Sequence, residues 1–457
     1  MNDTICAPAT APGGALGIIR VSGPQAVEIV NQIASADVNT FLPNFETFTH
    51  VVDKYANFEK DKKSSNIIDE VMITVFRAPH SYTGEDSVEI SCHGSRYIIN
   101  KVLELLVQHG CRMAEPGEFT KRAYLNGKID LSQAEAVADL IASSNKATHQ
   151  LAMSQLRGGI SSELSQLRDQ LLKLTSLLEL ELDFSDHEDL EFADRSELLS
   201  IANKINNHIT RLARSFETGQ AIKQGIPVAI VGKTNVGKST LLNRLLHDDR
   251  AIVSDIHGTT RDTIEDTIDL QGVTFRFIDT AGIRQTTDQV EKIGIERTFS
   301  AIDKARIVLW VIDEEPSTKE FNNIKQRSEN KKLIIVQNKN DKVKFIPLTT
   351  VNFPLITISA KQGTNISQLE QAIYQAADIP ALSDSDVIVT NARHYDALIR
   401  ANEAIQRVID GLQQQLSGDL LSEDLRQAID ILAEITGGQI TPNEVLGNIF
   451  KNFCVGK

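Results

Sequence analysis

The sequence predicts a fold that is α/β plus all-α, with an amino-terminal α/β domain and a helical domain that carries a second α/β domain as an insertion. The chain has 457 residues, too many for one hydrophobic core. Strand-like and helical patterns alternate in two stretches, and helical patterns flank the second stretch on both sides. The predicted boundaries are 1–120 (amino-terminal α/β domain), 121–223 (helical domain, first part), 224–380 (inserted α/β domain) and 381–457 (helical domain, second part).

The amino-terminal stretch is predicted to contain at least three strands and one helix. Residues 17–21 and 71–76 look like strands, and residues 87–92 alternate polar and apolar side chains with a period of two. Residues 100–108 look helical. This mixture predicts an α/β domain.

Helical patterns dominate from residue 121 and return after residue 380. Leucines at steps of three and four predict a long helix whose apolar side lies in a bundle core. They are Leu164, Leu167, Leu171, Leu174 and Leu178. The acidic run 183–191 could hold a cation, but it lacks EF-hand spacing, so a solvated loop is favoured. Residues 441–444 (Thr-Pro-Asn-Glu) form a capping box that predicts a final helix. Helices on both sides of 224–380 indicate a domain insertion.

Residues 232–239 form a phosphate-binding loop, because Gly-Lys-Thr-Asn-Val-Gly-Lys-Ser fits G-x-x-x-x-G-K-[ST] at every fixed position. The strand-like run 226–231 precedes the loop and the helical run 241–246 follows it, which is the context that the motif needs. Glycine lets backbone N–H groups curl around phosphates, Lys238 can reach the β- and γ-phosphates, and Ser239 can ligate Mg²⁺. The alternative, a chance glycine loop, does not explain the flanking strand and helix.

A base-recognition motif lies further along the chain. The strand-like run 333–336 leads to residues 338–341 (Asn-Lys-Asn-Asp), which fit N-K-x-D at the carboxyl end of a strand, where open α/β sheets bind ligands. Asp341 can accept hydrogen bonds from guanine N1–H and N2–H₂, which adenine lacks, so the motif favours GTP over ATP. Residues 359–361 (Ser-Ala-Lys), after the strand-like run 355–358, fit a backbone N–H contact to guanine O6.

Two switch motifs complete the set expected of a GTPase domain. Thr260, in the run 258–262 (Gly-Thr-Thr-Arg-Asp), is the candidate second Mg²⁺ ligand. Residues 279–282 (Asp-Thr-Ala-Gly) close the strand-like run 273–278, so Asp279 can hold a Mg²⁺-bound water and the Gly282 N–H can contact the γ-phosphate. The residues that these motifs predict to contact GTP are Asn235, Val236, Gly237, Lys238, Ser239, Thr240, Gly258, Thr259, Thr260, Asp279, Thr280, Ala281, Gly282, Asn338, Lys339, Asp341, Ser359, Ala360 and Lys361.

The residue that follows the second switch motif is Ile283, where many small GTPases have a glutamine that orients the attacking water. An aliphatic side chain cannot orient water, so a polar group must come from elsewhere. Asp288, Glu291 and Glu296 lie just downstream. Each of them could simply be a solvated helix charge, and sequence chemistry alone favours that interpretation for any single one of them.

Composition limits the other function classes. Hydrophobic residues make up 41% of the chain, and no apolar run approaches the ~20 residues that a membrane span needs. The amino terminus lacks the features of a secretory signal or a transit peptide, and the four scattered cysteines have no metal-ligand spacing, so a reduced cytoplasmic setting is expected. The net charge of −14 opposes long-range attraction to nucleic acid, so contacts with RNA would need a local patch or a basic partner.

Several further residue sets are found together in one family. The chain resembles the MnmE (TrmE) family of tRNA uridine-5-carboxymethylaminomethyl modification GTPases over essentially its whole length. The sets that carry the resemblance are 3–5 (Asp-Thr-Ile), 17–23 (Gly-Ile-Ile-Arg-Val-Ser-Gly), 82–86 (Tyr-Thr-Gly-Glu-Asp), 116–119 (Pro-Gly-Glu-Phe), 126–131 (Asn-Gly-Lys-Ile-Asp-Leu) and 453–457 (Phe-Cys-Val-Gly-Lys). The closing C-x-G-K and the amino-terminal motifs are far more specific than the phosphate loop.

The resemblance implies a homodimer held by the amino-terminal α/β domains, which would bind a 5-formyltetrahydrofolate-type one-carbon donor. It implies a helical domain with an inserted Ras-like GTPase that is stimulated by potassium. It also implies a complex, a heterotetramer or larger, with the FAD-dependent protein MnmG (GidA). That complex would modify C5 of the wobble uridine of certain tRNAs.

The resemblance also assigns roles residue by residue. The implied potassium ligands are Asn235, Ser254, Ile256 through its carbonyl, and Thr259. The same loop adds four residues to the implied GTP contacts, Ser254, Asp255, Ile256 and His257. Potassium there would add positive charge where phosphoryl transfer develops negative charge. The water-orienting acid falls on Glu291. The folate contacts fall on Arg20, Glu89, Lys128 and Lys457. Arginine and lysine suit folate carboxylates, and glutamate suits the donors of a pterin. Without the resemblance each of these four would be interpreted as a surface charge or ion pair. Cys454 is given no role.

Two other functions fit the GTPase motifs taken alone. One is a ribosome-assembly switch of the Era or Der type, although such proteins usually carry a basic RNA-binding segment after the GTPase and this chain has an acidic helical tail. The other is a scaffold with a degenerate nucleotide site. The intact Lys238, Ser239, Asp279 and Asp341 argue against a scaffold.

Overall fold

A computed structural model describes most of the chain. The described residues are 3–54, 66–183, 195–248, 266–278, 299–342, 353–379, 387–438, 446, 449–451, 453 and 456. The chain divides into two compact units. The first comprises Met1–Ile141, Gln155–Leu199 and Arg407–Lys457, and the second comprises Ala142–Ser154 and Ser200–Gln406. The domain boundaries at 120, 223 and 380 remain predictions. In the part of the chain that the structure describes, the helices are too short or too polar to cross a membrane.

A six-stranded mixed sheet forms the amino-terminal part of the first unit, in the order β3-β4-β5-β2-β1-β6. Its strands are β1 (Ile5–Pro8), β2 (Leu16–Ser22), β3 (Glu46–Val52), β4 (Ile67–Phe76), β5 (Ser87–His93) and β6 (Arg112–Met113). The helices α1 (Ala26–Ile33) and α2 (Arg96–Gln108) share one core with the sheet. Val88, Ile90 and Cys92 of β5 are buried in this core because alternate residues of a strand share a face. The predicted strands 17–21, 71–76 and 87–92 and the helix 100–108 are confirmed.

Helices follow, as the sequence predicts from residue 121. They are α3 (Glu118–Leu125), α4 (Leu131–Ala142), α5 (Lys146–Leu156), α6 (Gly159–Asp183) and α7 (Arg195–Gln224). The five leucines at helical spacing all lie on α6 and are all buried, which confirms that they form its core side. The acidic run 183–191 lies largely outside the described residues.

The second unit contains another six-stranded sheet, in the order β12-β11-β10-β7-β9-β8. The strands are β7 (Ile226–Val231), β8 (Asp266–Leu270), β9 (Val273–Phe277), β10 (Ile307–Ile312), β11 (Lys332–Gln337) and β12 (Leu355–Thr357). All neighbours are parallel except β8 and β9. The helices between them are α8 (Lys238–Asp248), α9 (Thr318–Arg327) and α10 (Ile366–Ala376), and residues 299–304 are also helical.

Both faces of this sheet are covered, which explains its continuous apolar strands. Every residue of β10 is buried, and its alternate side chains enter two different cores. Leu309 packs on the side of α8 and α10, whereas Trp310 packs on the side of α9. Because β7, β10 and β11 are parallel neighbours, their carboxyl ends meet at one edge of the sheet, which is where doubly wound sheets bind ligands.

The chain is helical again after residue 380, as predicted. The helices are α11 (Ala392–Gln413) and α12 (Gly418–Thr436), and α12 packs along α6 in the first unit. The capping box at 441–444 lies outside the described residues.

Candidate functional sites

The phosphate loop connects the end of β7 directly to the first residue of α8. Gly232 and Gly237 have φ angles of +147° and +99°, a region that only glycine enters without strain. A Cβ on Gly232 would collide with the Val311 carbonyl, and one on Gly237 would collide with the Asn338 amide nitrogen. The two glycines are therefore required by the close packing of this loop on β10 and on the loop after β11, and Asn235, with φ +64°, takes the other left-handed position.

The Lys238 side chain folds over the loop. Its Nζ donates to the carbonyls of Gly232, at 2.7 Å, and Lys233, at 2.6 Å. Burial lowers the pKa of Lys238, because these two partners are neutral and do not offset the loss of water. A bound polyphosphate would supply the negative charge that they do not. Ser239, in the first turn of α8, lies beside Lys238 at the positive end of the helix dipole.

Asn338 joins three loops of the site. Its side chain is buried, its Nδ2 donates to the Val236 carbonyl at 2.8 Å, and its Oδ1 accepts from the Ala360 N–H at 3.0 Å. Val236 belongs to the phosphate loop and Ala360 to the loop after β12. The phosphate end and the base end of the site are therefore connected through one amide.

Asp341 is held by the loop after β12. Ser359 Oγ donates to Asp341 Oδ1 at 2.7 Å, and this hydrogen bond is the main cause of a lowered pKa for the Asp341 carboxyl. An ionised Asp341 can accept two hydrogen bonds from a base. The Ala360 N–H already donates to Asn338 Oδ1, so the contact to guanine O6 predicted for the run 359–361 would need another N–H group of this loop.

Two predicted folate residues form an ion pair on the first sheet. Arg20 and Glu89 are direct neighbours across β2 and β5, and the Nε and Nη2 atoms of Arg20 lie 2.8 and 2.7 Å from Glu89 Oε1. The guanidinium also donates to the Gly456 carbonyl at 3.2 Å, and it lies 5.7 Å from the ring centres of both Tyr82 and Phe119. Arg20 is thus the centre of a polar cluster that includes the carboxyl-terminal segment.

Lys128 contacts a different part of the same unit. Its Nζ donates to the Pro79 carbonyl at 2.9 Å, at the start of the loop that carries Tyr82. The Tyr82 hydroxyl is 2.8 Å from Thr120 Oγ1, and burial is the main cause of its raised pKa. The loop 79–84 therefore lies between Arg20 and Lys128.

A buried arginine lies near this cluster. Arg122 is 1% exposed and donates to Asp3, Glu85 and Glu118 at 2.9 to 3.3 Å. Arg112 binds Asp3 and Glu118 as well, and its hydrogen bond is the main cause of the lowered pKa of Asp3. Three carboxylates and two guanidiniums thus tie the first strand, the loop before β5 and α3 together.

Comparison with known proteins decides the family. A family model described as the MnmE helical domain matches residues 131–454, and one described as the GTP-binding protein TrmE N-terminus matches residues 4–128. The chain belongs to the MnmE family of tRNA modification GTPases. As a member of the MnmE family it is a GTP hydrolase, and the predicted family resemblance is confirmed.

Full-length relatives agree with this assignment. The tRNA modification GTPase MnmE of Phocaeicola vulgatus is 55% identical, and the alignment covers 100% of this chain and 99% of that protein. The MnmE of Flavobacterium johnsoniae is 49% identical, with coverages of 100% and 99%.

Among solved structures, the G domain of the T. maritima FeoB iron transporter aligns with 33% of this chain and 98% of its own, at 23% identity and a TM-score of 0.26.

Much of the site predicted from MnmE-family motifs lies outside the described residues. These are Ser254, Asp255, Ile256, His257, Gly258, Thr259, Thr260, Asp279, Thr280, Ala281, Gly282, Glu291 and Lys457, together with Cys454. Of the described members, Val236 is a buried residue of the phosphate loop and Thr240 is exposed on α8.

Sequence reasoning missed two residues that support the loops after β11 and β12, which carry the predicted base-recognition motifs. Asp313 follows β10 and lies 2.6 Å from Lys339 Nζ. Its place at the carboxyl end of a central strand was a signal that could have found it. Arg244 of α8 donates to the carbonyls of Ala360 and Lys361 at 3.4 and 3.1 Å. No motif marks Arg244, because its partners are backbone atoms far away in sequence.

Proposed function

We propose that this chain hydrolyses GTP in the pocket formed by the phosphate loop and the loops after β11 and β12. With the FAD-dependent partner MnmG, it would install the (carboxymethyl)aminomethyl group at C5 of the wobble uridine, position 34, of certain cytoplasmic tRNAs. The observation that carries the proposal is the Asn338 junction between Val236 and Ala360 beside an ionised Asp341. This arrangement supports the proposal, because the Asn338 amide connects the phosphate loop to the loop that holds the Asp341 carboxylate.

The predicted site residues have distinct tasks in this proposal. Backbone N–H groups of the phosphate loop and the half-buried Lys238 would hold the β- and γ-phosphates, and Ser239 and Thr260 would ligate Mg²⁺. The metal supplies positive charge to the oxygens of the transferring phosphoryl group. Lys238 fits this task because, among the described residues, its hydrogen-bond acceptors are two backbone carbonyls, which are neutral. Glu291 would orient the attacking water.

A potassium site is part of the proposal. Asn235, Ser254, Ile256 and Thr259 would supply an oxygen-rich shell for the cation. Asn235 supports this proposal because it is exposed in the phosphate loop, so its side-chain oxygen would be accessible to a cation. A cation held there would balance charge that develops during hydrolysis.

The first unit would bind the one-carbon donor, a 5-formyl- or methylene-tetrahydrofolate. Arg20, Glu89, Lys128 and Lys457 would contact it. The bond from Arg20 to the Gly456 carbonyl supports this, because it brings the residue before Lys457 to the Arg20–Glu89 pair. A homodimer through the amino-terminal domains and the domain boundaries at 120, 223 and 380 belong to the same proposal.

The guanine assignment is tested by Asp341→Asn. The substitution exchanges an acceptor for a donor, so GTP affinity should fall at least ~100-fold and the affinity for xanthosine triphosphate should rise. Asp378→Asn is the matched control, because Asp378 is an exposed carboxylate in the same unit, paired only weakly with Lys332 at 3.3 Å. Unchanged GTP affinity of Asp341→Asn in a calorimetric titration would overturn the assignment.

The tRNA role is tested in cells. A strain that lacks this chain should lose the C5 modification of the wobble uridine, measured by mass spectrometry of digested tRNA. Wild-type and Asp378→Asn genes should restore it, and Asp341→Asn should not. Normal modification in the deletion strain would contradict the proposed function.

A further inference from the structure

The Arg244 side chain crosses from the phosphate-loop helix to the base-recognition loop. It lies in the second turn of α8, and its Nη2 and Nε atoms donate to the carbonyls of Lys361, at 3.1 Å, and Ala360, at 3.4 Å. Both acceptors are backbone atoms of adjacent residues. A planar guanidinium can hold two adjacent carbonyls at once, which a lysine ammonium does less well. Because both acceptors are backbone atoms, Arg244 constrains the backbone path of this loop. It does not constrain a side chain of the loop.

The N–H groups of the loop are mostly in use. The Ala360 N–H donates to Asn338 Oδ1 at 3.0 Å, and the Ser359 N–H donates to the Thr364 carbonyl at 3.2 Å. The Gln362 N–H donates to Ser359 Oγ at 3.3 Å. The Lys361 N–H is the donor of the run 359–361 that remains for an atom of the base.

The direction of the Lys361 N–H depends on the Ala360 carbonyl, because the two belong to one planar trans peptide and point in opposite directions. By holding the Ala360 carbonyl, Arg244 also sets where the Lys361 N–H points. We propose that Arg244 is a specificity-determining residue for the base: it orients the Lys361 N–H towards O6 of guanine. This inference rests on the proposed guanine site.

A GTP analogue that differs only at O6 of the base tests this role of Arg244. 6-Thioguanosine triphosphate keeps both donors that Asp341 accepts but replaces O6 with sulfur, a weaker acceptor. The wild type should bind GTP about fivefold more tightly than the thio analogue, as expected for one hydrogen bond. Arg244→Ala should bind GTP about fivefold more weakly than the wild type and lose most of this preference, and Arg244→Lys should be intermediate.

A purely structural role for Arg244 predicts a different result, because general loosening of the site would weaken both nucleotides equally. Arg327→Ala is the matched control. It removes an arginine of the same unit that lies over the Phe299 ring, 3.8 Å from its centre, and it should leave both affinities and their ratio unchanged. The fluorescence of Trp310, the single tryptophan of the chain, checks that each variant is folded.

The outcomes separate this inference from the proposed function. If Asp341→Asn loses GTP while Arg244→Ala keeps the wild-type preference for GTP over the thio analogue, the role of Arg244 is wrong and the guanine site stands. Equal weakening of both nucleotides by Arg244→Ala also overturns it. If Asp341→Asn binds GTP normally, the guanine site itself is wrong. If Arg244→Ala does not fold, the same comparison is made with Arg244→Lys.

Discussion

Replacing Asn338 with alanine should destabilise the second unit as well as its site. The change removes the donor to the Val236 carbonyl and the acceptor of the Ala360 N–H, and Asn338 and both partner residues are nearly fully buried. Each buried group left without a partner costs roughly 1–3 kcal/mol. Some water can enter the space that the amide leaves beside Gly237, so we expect the free energy of unfolding to fall by about 2–4 kcal/mol.

Urea unfolding followed by tryptophan fluorescence measures this loss, because the single tryptophan, Trp310, is buried in β10 of the same sheet. Asn323→Ala, at an exposed position of α9, is the matched control and should change the free energy by less than ~0.5 kcal/mol. Asn338→Asp keeps the acceptor for Ala360 but places a carboxylate oxygen against a carbonyl, so it should be at least as destabilising as alanine. If Asn338→Ala unfolds at the same urea concentration as Asn323→Ala, the junction contributes little and the reasoning is wrong.

Two further predictions concern catalysis. Glu291→Ala should bind GTP nearly normally but turn it over at least ~100-fold more slowly, since it would lose one positioned catalytic group. Asp288→Ala and Glu296→Ala serve as controls in the same turnover assay, and an equal or larger loss in either would assign the acid elsewhere. GTP turnover should be much faster in KCl than in NaCl at equal ionic strength, and Asn235→Ala should erase that difference. Equal wild-type rates in the two salts would exclude the potassium site.

The elements of the second sheet could be predicted because parallel strands buried on both faces have continuous apolar sequences. The run 226–231 coincides with β7, and 333–336 lies within β11. Short or edge strands gave weaker signals. β3 lies at the sheet edge with Phe48 exposed and polar residues on both faces, and β6 has only two residues, so neither has a clear hydrophobic period.

The site was predictable to the extent that its residues act locally. The phosphate loop and the strand-end position of Asn338 follow from motifs, but the two bonds of the Asn338 amide depend on loops brought together by the fold. The Arg122 cluster shows the same limit. Glu85 and Glu118 belong to motifs that carry the family resemblance, yet their shared buried partner is visible only in three dimensions. Residues whose partners are distant backbone atoms, or side chains far away in sequence, form no motif with a characteristic spacing, so the sequence alone does not reveal these contacts.

The Asn338 and Arg244 bonds together close a ring. The phosphate loop continues covalently into α8, Arg244 reaches from α8 to the loop 359–363, and Asn338 leads from that loop back to Val236. The connection from the phosphate loop to α8 is covalent, and the two bonds of the Asn338 amide are buried. The Arg244 side chain, in contrast, is partly exposed to solvent. The ring is therefore weakest at Arg244, and we expect a nucleotide bound in the proposed site to lose its contacts to the base before its contacts to the phosphates.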